Sequence, residues 1–190
     1  MQASPRTAVR GLSRFPMTDY FARLGLPRRF ALDAAELERH YLARSRAVHP
    51  DYHTGGPTAD LAASLELSAA LNEAYTTLRD PFARADYLHG LEGGPTAAEQ
   101  KQMPPAFLAE MLEARERIEE ARSANSPCSA KIAELQDEFS AQYDALLGEV
   151  GKRFAKLEAA PADRGKTLIE IRSLLNAAKY VRGLIRDLND

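Results

Sequence analysis

Two long stretches in the second half of the chain repeat apolar residues at steps of three and four. The first reads Ile132, Leu135, Phe139, Tyr143, Leu146, Val150, Phe154 and Leu157. The second reads Leu168, Ile171, Leu175, Ala178, Val181, Ile185 and Leu188. A mean step near the helical repeat of about 3.6 places each set on one face of a long helix, and no strand pattern has that period. A helix over about 129–158 and another over about 162–188 follow. A third is expected over about 105–123, with Pro105 in its first turn, where a missing N–H costs nothing. The breaks at Asn125-Ser126-Pro127 and near Pro161 are short, so sequence neighbours should run antiparallel. The expected architecture here is a three-helix bundle, with no tandem repeat.

The first half carries shorter amphipathic segments. Asp19–Leu24 is a brief helix ended by Gly25 and Pro27. Asp33 stands three residues before Glu36, the spacing of a capping box, and opens a helix that runs to Val48 with Leu37, Tyr41 and Val48 on one face. Pro50 disfavours helical geometry at His49 and stops it. A second long helix is expected from about Ala59 to Arg79, with Leu67, Leu71, Ala74, Tyr75 and Leu78 as its stripe. Asp80-Pro81 breaks it, and Phe82–Leu88 forms a last short helix. The Gly90–Pro95 run is the best linker in the chain. The Ala-, Leu-, Glu- and Arg-rich composition agrees with an all-α fold.

Composition also bounds function. Net charge is −2, which is not the electrostatic signature of a nucleic-acid binder. No apolar run reaches the roughly 18 residues of a spanning helix. A single cysteine, Cys128, allows neither an internal disulfide nor a cysteine-rich zinc module. Four thiolates usually ligate an iron–sulfur cluster, so one cysteine cannot hold a cluster unaided. No cofactor and no resident metal are expected. Lys101 and the scattered glycines form no phosphate loop, and no Ser/His/Asp or dinucleotide motif is present. Residues 1–16 carry Arg6, Arg10 and Arg14 and no acid. They are expected to be a flexible extension, with Met17 as an alternative start. Read instead as a targeting segment, the same composition would direct the chain to a mitochondrial matrix.

The chemistry concentrates at His49-Pro50-Asp51, between two amphipathic helices and directly after a helix carrying Arg39, Arg44 and Arg46. Pro50 fixes φ and removes a backbone donor, so the loop leaves the helix abruptly. An imidazole and a carboxylate are then offered beside a positive helix face. Such a surface can pair with an acidic groove and set one carboxylate against a partner's arginine. Two other readings stay open. His49, Asp51 and His53 could be a metal triplet of a metal-dependent enzyme, since imidazole and carboxylate suit zinc or manganese. The loop could also merely end a helix in a structural module, with the bundle as a dimerising coiled coil.

Along 105–123, Phe107, Met111, Ala114, Ile118 and Ala121 make a complete core stripe. The adjacent stripe reads Leu108, Leu112, Arg115, Glu119 and Arg122. Its two leucines are surplus to a simple core and would form an exposed apolar flank, unless the last helix covers them.

The order of a short helix, a helix with a basic end, His-Pro-Asp and a helix carrying Leu71-Asn72-Glu73-Ala74-Tyr75-Thr76-Thr77-Leu78 resembles a J-domain over about residues 19–88. J-domains usually have an apolar residue where Arg44 stands and an aromatic where Val48 stands. The glycine/phenylalanine-rich segment and repeated CxxCxGxG motifs of general-purpose DnaJ chaperones are missing. With Met17-Thr18-Asp19-Tyr20-Phe21 at the start, Leu78-Arg79-Asp80-Pro81, Arg84-Ala85-Asp86-Tyr87-Leu88, Ala106-Phe107-Leu108 and Leu112-Glu113, residues 17–190 resemble the HscB family of iron–sulfur co-chaperones.

That resemblance implies an extension at 1–16, a J-domain at 17–90, a linker at 91–98 and a scaffold-binding three-helix bundle at 99–190, roughly L-shaped. It implies no enzyme activity of the chain's own. His49, Pro50 and Asp51, with Arg39, Arg44 and Arg46, would dock on a DnaK/HscA-type chaperone and stimulate its ATPase. Leu108 and Leu112, joined by Tyr180 of the last helix, would bind an IscU-type scaffold. The implied setting is the bacterial cytoplasm, with no nucleic-acid or membrane partner and with self-association left open.

Overall fold

The computed structural model describes residues 19–48, 58–123, 128–159 and 163–189. Seven helices occupy them: α1 (Tyr20–Leu24), α2 (Ala34–Val48), α3 (Thr58–Arg79), α4 (Pro81–Leu91), α5 (Pro105–Ser123), α6 (Cys128–Ala159) and α7 (Arg164–Asn189). No strand lies among the described residues. The extension at 1–16, Met17 and the His49-Pro50-Asp51 loop with His53 lie outside them, and so does the side chain of Cys128.

Local chemistry sets the helix ends. Asp19 caps α1 by accepting from the Ala22 N–H at 2.9 Å, and Gly25 closes it at φ +70°, in the left-handed region. The positive φ is what calls for glycine at 25; the guanidinium of Arg44 also lies close to it, but as the end of a flexible side chain that could move aside. Asp33 accepts from the Ala35 N–H at 3.0 Å at the start of α2. Glu36 does not complete the expected box; it pairs with Arg29 at 3.5 Å. Asp80 caps α4 through Phe82 and Ala83, with Pro81 in the first turn. The helix runs through Gly90 to Leu91, beyond the Leu88 end read from sequence. The turn after it needs a glycine at 94, because the His89 ring occupies the space of a Cβ there.

Packing departs from the expectation of one apolar stripe per helix. α7 buries Leu168, Ile171, Leu175, Ala178, Val181 and Leu188, as expected, and also Thr167, Arg172, Asn176, Ala177 and Leu184. It is therefore enclosed on several sides. Two cores draw on it. One combines Met111, Ala114, Ile118 and Ala121 of α5 with Leu135 and Phe139 of α6 and Val181, Leu184 and Leu188 of α7. The other combines Phe21, Leu24, Leu37, Leu71, Leu78 and Leu88 of α1–α4 with Val150, Phe154 and Leu157 of α6 and Leu168, Ile171 and Leu175 of α7. The first half of the chain thus completes its core with the loop end of the α6–α7 hairpin. Phe30 stacks on Phe154 at 5.6 Å between ring centroids, and Arg182 lies 4.3 Å over the Phe82 ring and 3.7 Å from Asp80.

Polar contacts fasten the same joint. Buried Arg172 of α7 pairs with half-exposed Asp86 of α4. A buried charge needs such a partner. His89 Nε2 lies 2.9 Å from the Leu168 carbonyl. Between α4 and α5, Gln100 donates to Ser173 Oγ at 2.7 Å, and Asn176 donates to the Gln100 carbonyl at 2.7 Å, which tie this segment to α7.

Because Phe154 fills the core shared by both halves, Phe154→Ala should cost about 3–5 kcal/mol and shift one common unfolding transition. A denaturant melt followed by circular dichroism, with hydrogen exchange in α1 and α4, checks this. His89 gives a pH dependence. Burial lowers its pKa; the Leu168 carbonyl opposes that, and the nearby Arg172 charge adds to it. The unfolded chain then takes up the proton near the ordinary value of 6.5 while the folded chain still resists it. Stability should fall as pH drops below that value and level off once the folded-state pKa is passed. Melts between neutral and mildly acid pH should show this slope for the wild type and a smaller one for His89→Gln.

Candidate functional site

The α2–α3 hairpin frames the loop holding the tripeptide. Tyr41 stacks on Tyr75 with centroids 4.2 Å apart, and its hydroxyl donates to Asn72 at 2.8 Å. Tyr20 donates to Glu73 at 2.7 Å; that bond, with burial and the Glu73 charge, pushes the phenol up to about 12. The Leu71–Leu78 run is thus the surface on which α1 and α2 are seated. At the far end, Ser64 Oγ donates to the Val48 carbonyl and fastens α3 to the last turn before His49. His49, Pro50 and Asp51 themselves lie outside the described residues, as does the His49/Asp51/His53 triplet. The Nδ1 of His40 is taken up by the Leu24 carbonyl at 2.9 Å.

The three arginines of α2 do not form one group. Arg39 and Arg46, seven residues apart, share a face, are exposed and make no ion pair among the described residues. Arg44 stands about 140° around the helix from Arg39, and its guanidinium lies back against Gly25 at the end of α1. An arginine where J-domains usually have an apolar residue thereby has a packing role. Leu42, 43% exposed, stands between Arg39 and Arg46 on their face and was missed from sequence. Its spacing from both, three and four residues, together with its absence from the Leu37–Tyr41–Val48 stripe, was the available signal.

In the bundle, Met111, Ala114, Ile118 and Ala121 of the stripe are buried, while Phe107 at its start is only half-buried. Leu108 and Leu112 remain 44% and 61% exposed; α7 does not cover them. Tyr180 of α7, also 44% exposed, meets Phe107 of α5 edge-on at 5.9 Å. Leu108, Leu112 and Tyr180 line one open groove of about 170 Å³ with Met111, Arg115 and Leu184. The three residues singled out from sequence therefore converge across two helices. Leu184, which the α7 stripe omitted, forms part of the groove. An exposed apolar surface flanked by charge is the form of a protein-docking site.

A family model described as the HSCB C-terminal oligomerisation domain matches residues 103–188. A Burkholderia multivorans protein described as a co-chaperone protein HscB homolog is 40% identical over 154 residues, 80% of this chain and 87% of its own length. The chain belongs to the HscB co-chaperone family. A Chromobacterium violaceum HscB homolog is 39% identical over 131 residues, 65% of this chain and 75% of its own. Among solved structures, chaperone HscB from Vibrio cholerae superposes with a TM-score of 0.75 at 25% identity, over 90% of this chain and 96% of that one. Human co-chaperone HscB gives 0.76 at 25% identity, over 92% and 82%. The all-α fold, an N-terminal J-domain followed by a helical bundle, is thus that of HscB proteins, and the Burkholderia, Chromobacterium and human relatives are named as co-chaperones.

The exposure of the leucines has a direct consequence for stability. Leu108→Ala with Leu112→Ala should change the unfolding free energy by less than about 1 kcal/mol. Met111→Ala, one position away but buried, should cost roughly 2–5 kcal/mol. Urea melts of the two variants make the comparison.

Proposed function

We propose that the protein serves iron–sulfur cluster biogenesis by carrying an IscU-type scaffold to a DnaK/HscA-type chaperone and stimulating that chaperone's ATPase. Residues 17–90 are assigned to chaperone docking, 91–98 to the connection and 99–190 to the cargo. His49, Pro50 and Asp51 form the recognition unit of the first surface, beside Arg39 and Arg46, with Arg44 both a docking cation and a packing residue. Leu108, Leu112 and Tyr180 form the second. The chain performs no chemistry of its own, and the cluster is cargo rather than a resident group. The bacterial HscB relatives fit action in the cytoplasm.

The observation that carries this reading is the convergence of two exposed leucines of α5 and an exposed tyrosine of α7 on one groove. Leaving such side chains in water forgoes roughly 1.5–3 kcal/mol for each leucine that a partner could bury. Residues at the centre of an interface dominate its affinity. Held on one folded body, the two surfaces would raise the effective concentration of cargo at the chaperone.

Two measurements test the two ends separately. Isothermal titration with an IscU-type scaffold should show Leu108→Ala/Leu112→Ala weakening binding by about two orders of magnitude, near 3 kcal/mol. Unchanged affinity in this variant would remove the cargo site. In a steady-state ATPase assay of the chaperone, His49→Gln or Asp51→Asn should abolish stimulation while scaffold binding and melting stay as in the wild type. Full stimulation by both variants would remove the chaperone-docking assignment.

A further inference from the structure

Beside the apolar groove lies a second, larger one of about 380 Å³, and the two share Arg115 and Tyr180. Its walls come from three elements. α7 supplies Asn176, Lys179 and Gly183, spaced to lie on one face; α5 supplies Arg115, one turn beyond Leu112; the segment before α5 supplies Lys101. That segment is not loose. Asn176 holds the Gln100 carbonyl, Gln100 holds Ser173, and Glu99 is turned onto the Thr96 N–H and hydroxyl. Lys101 is therefore presented from an anchored wall.

The charged residues of the groove are all basic. Lys101, Arg115 and Lys179 line it, and no carboxylate does. None of the three makes an ion pair among the described residues, although Glu138, Glu149, Lys152 and Arg153 of α6 and most charged side chains of α7 do. This local excess of three positive charges stands in a chain whose net charge is −2. Unneutralised charge of one sign in a concave site raises the local concentration of the opposite charge and speeds its arrival.

We propose that this basic groove seats an acidic stretch of the same cargo protein whose apolar side chains lie on Leu108, Leu112 and Tyr180. The inference rests on the cargo reading given above and adds the chemistry of a second contact. Continuity through Arg115 and Tyr180 puts the two grooves under one partner surface, and three unpaired cations define the charge of the segment that fits. The apolar groove then governs how long the complex lasts, and the basic groove governs how fast it forms and how salt affects it.

The test is stopped-flow binding of the full chain to an IscU-type scaffold at low and raised salt, with three variants. Lys101→Glu/Lys179→Glu should slow association about tenfold at low salt, flatten its salt dependence and leave dissociation nearly unchanged. Lys101→Gln/Lys179→Gln should fall between it and the wild type. Leu108→Ala/Leu112→Ala should speed dissociation and keep the wild-type salt dependence. Carbodiimide coupling of the wild-type complex should join Lys101 or Lys179 to a scaffold carboxylate, identified by mass spectrometry. Wild-type kinetics in the charge-reversed variant, with no such cross-link, overturn the basic groove while a crippled leucine variant leaves the apolar site standing. A leucine variant that binds like the wild type overturns the cargo reading and this inference with it. Inorganic phosphate that blocks the cross-link without slowing scaffold association would mark a small-anion site and also overturn the proposal.

Discussion

Everything in this fold depends on the burial of α7 in two cores at once. Its loop-proximal half meets α1–α4 through Leu168, Ile171 and Leu175. Its distal half meets α5 through Val181, Leu184 and Leu188. A helix enclosed in this way cannot rotate to improve one contact without spoiling another, since protein interiors pack at crystal-like density. The orientation of Tyr180 and Lys179 on the outer strip of α7 follows from what the remaining faces must bury. The exposed strip that lines the grooves is in this sense a by-product of a doubly committed helix.

Much of this was legible in the sequence, and the exceptions share a cause. The bounds of α5 and the burial of Met111, Ala114, Ile118 and Ala121 follow from one stripe facing one core. The same reasoning undercounts α6 and α7, where Leu147 and Leu184 are buried outside the stripe, because a single period describes a helix with one buried face. Gly90 reads as a linker residue but lies inside α4. The helix is held by packing of Ala85, Leu88 and His89, which outweighs the low helix propensity of one glycine. Burial of Arg172 and His89 had no signal at all, since each finds a polar partner only in a residue about eighty positions away.

The candidate sites divide along the same line. Leu108 and Leu112 could be singled out because a local core stripe was already complete without them. Tyr180 needed a family resemblance, since its partner Phe107 lies on another helix. Arg39, Arg44 and Arg46 look equivalent as a list of charges. The helical rotation separates them, and the middle one alone lies against Gly25 at the end of α1. Lys101 carried no local mark, because its significance comes from an anchored segment brought against α7.

The joint between α4 and α7 has a consequence for how the molecule would respond to cutting or lengthening. The stretch between α4 and α5 is the covalent route from one half to the other, and Gln100 ties it to α7, yet the halves are also fastened without it, through Phe154, Ile171, the Asp86–Arg172 pair and the Arg182–Phe82 contact. Connectivity and geometry are thereby decoupled. The spacing between the α2–α3 hairpin and the α5–α7 grooves is set as by a ruler whose scale is the α6–α7 hairpin. It does not depend on how much chain happens to run between the two ends.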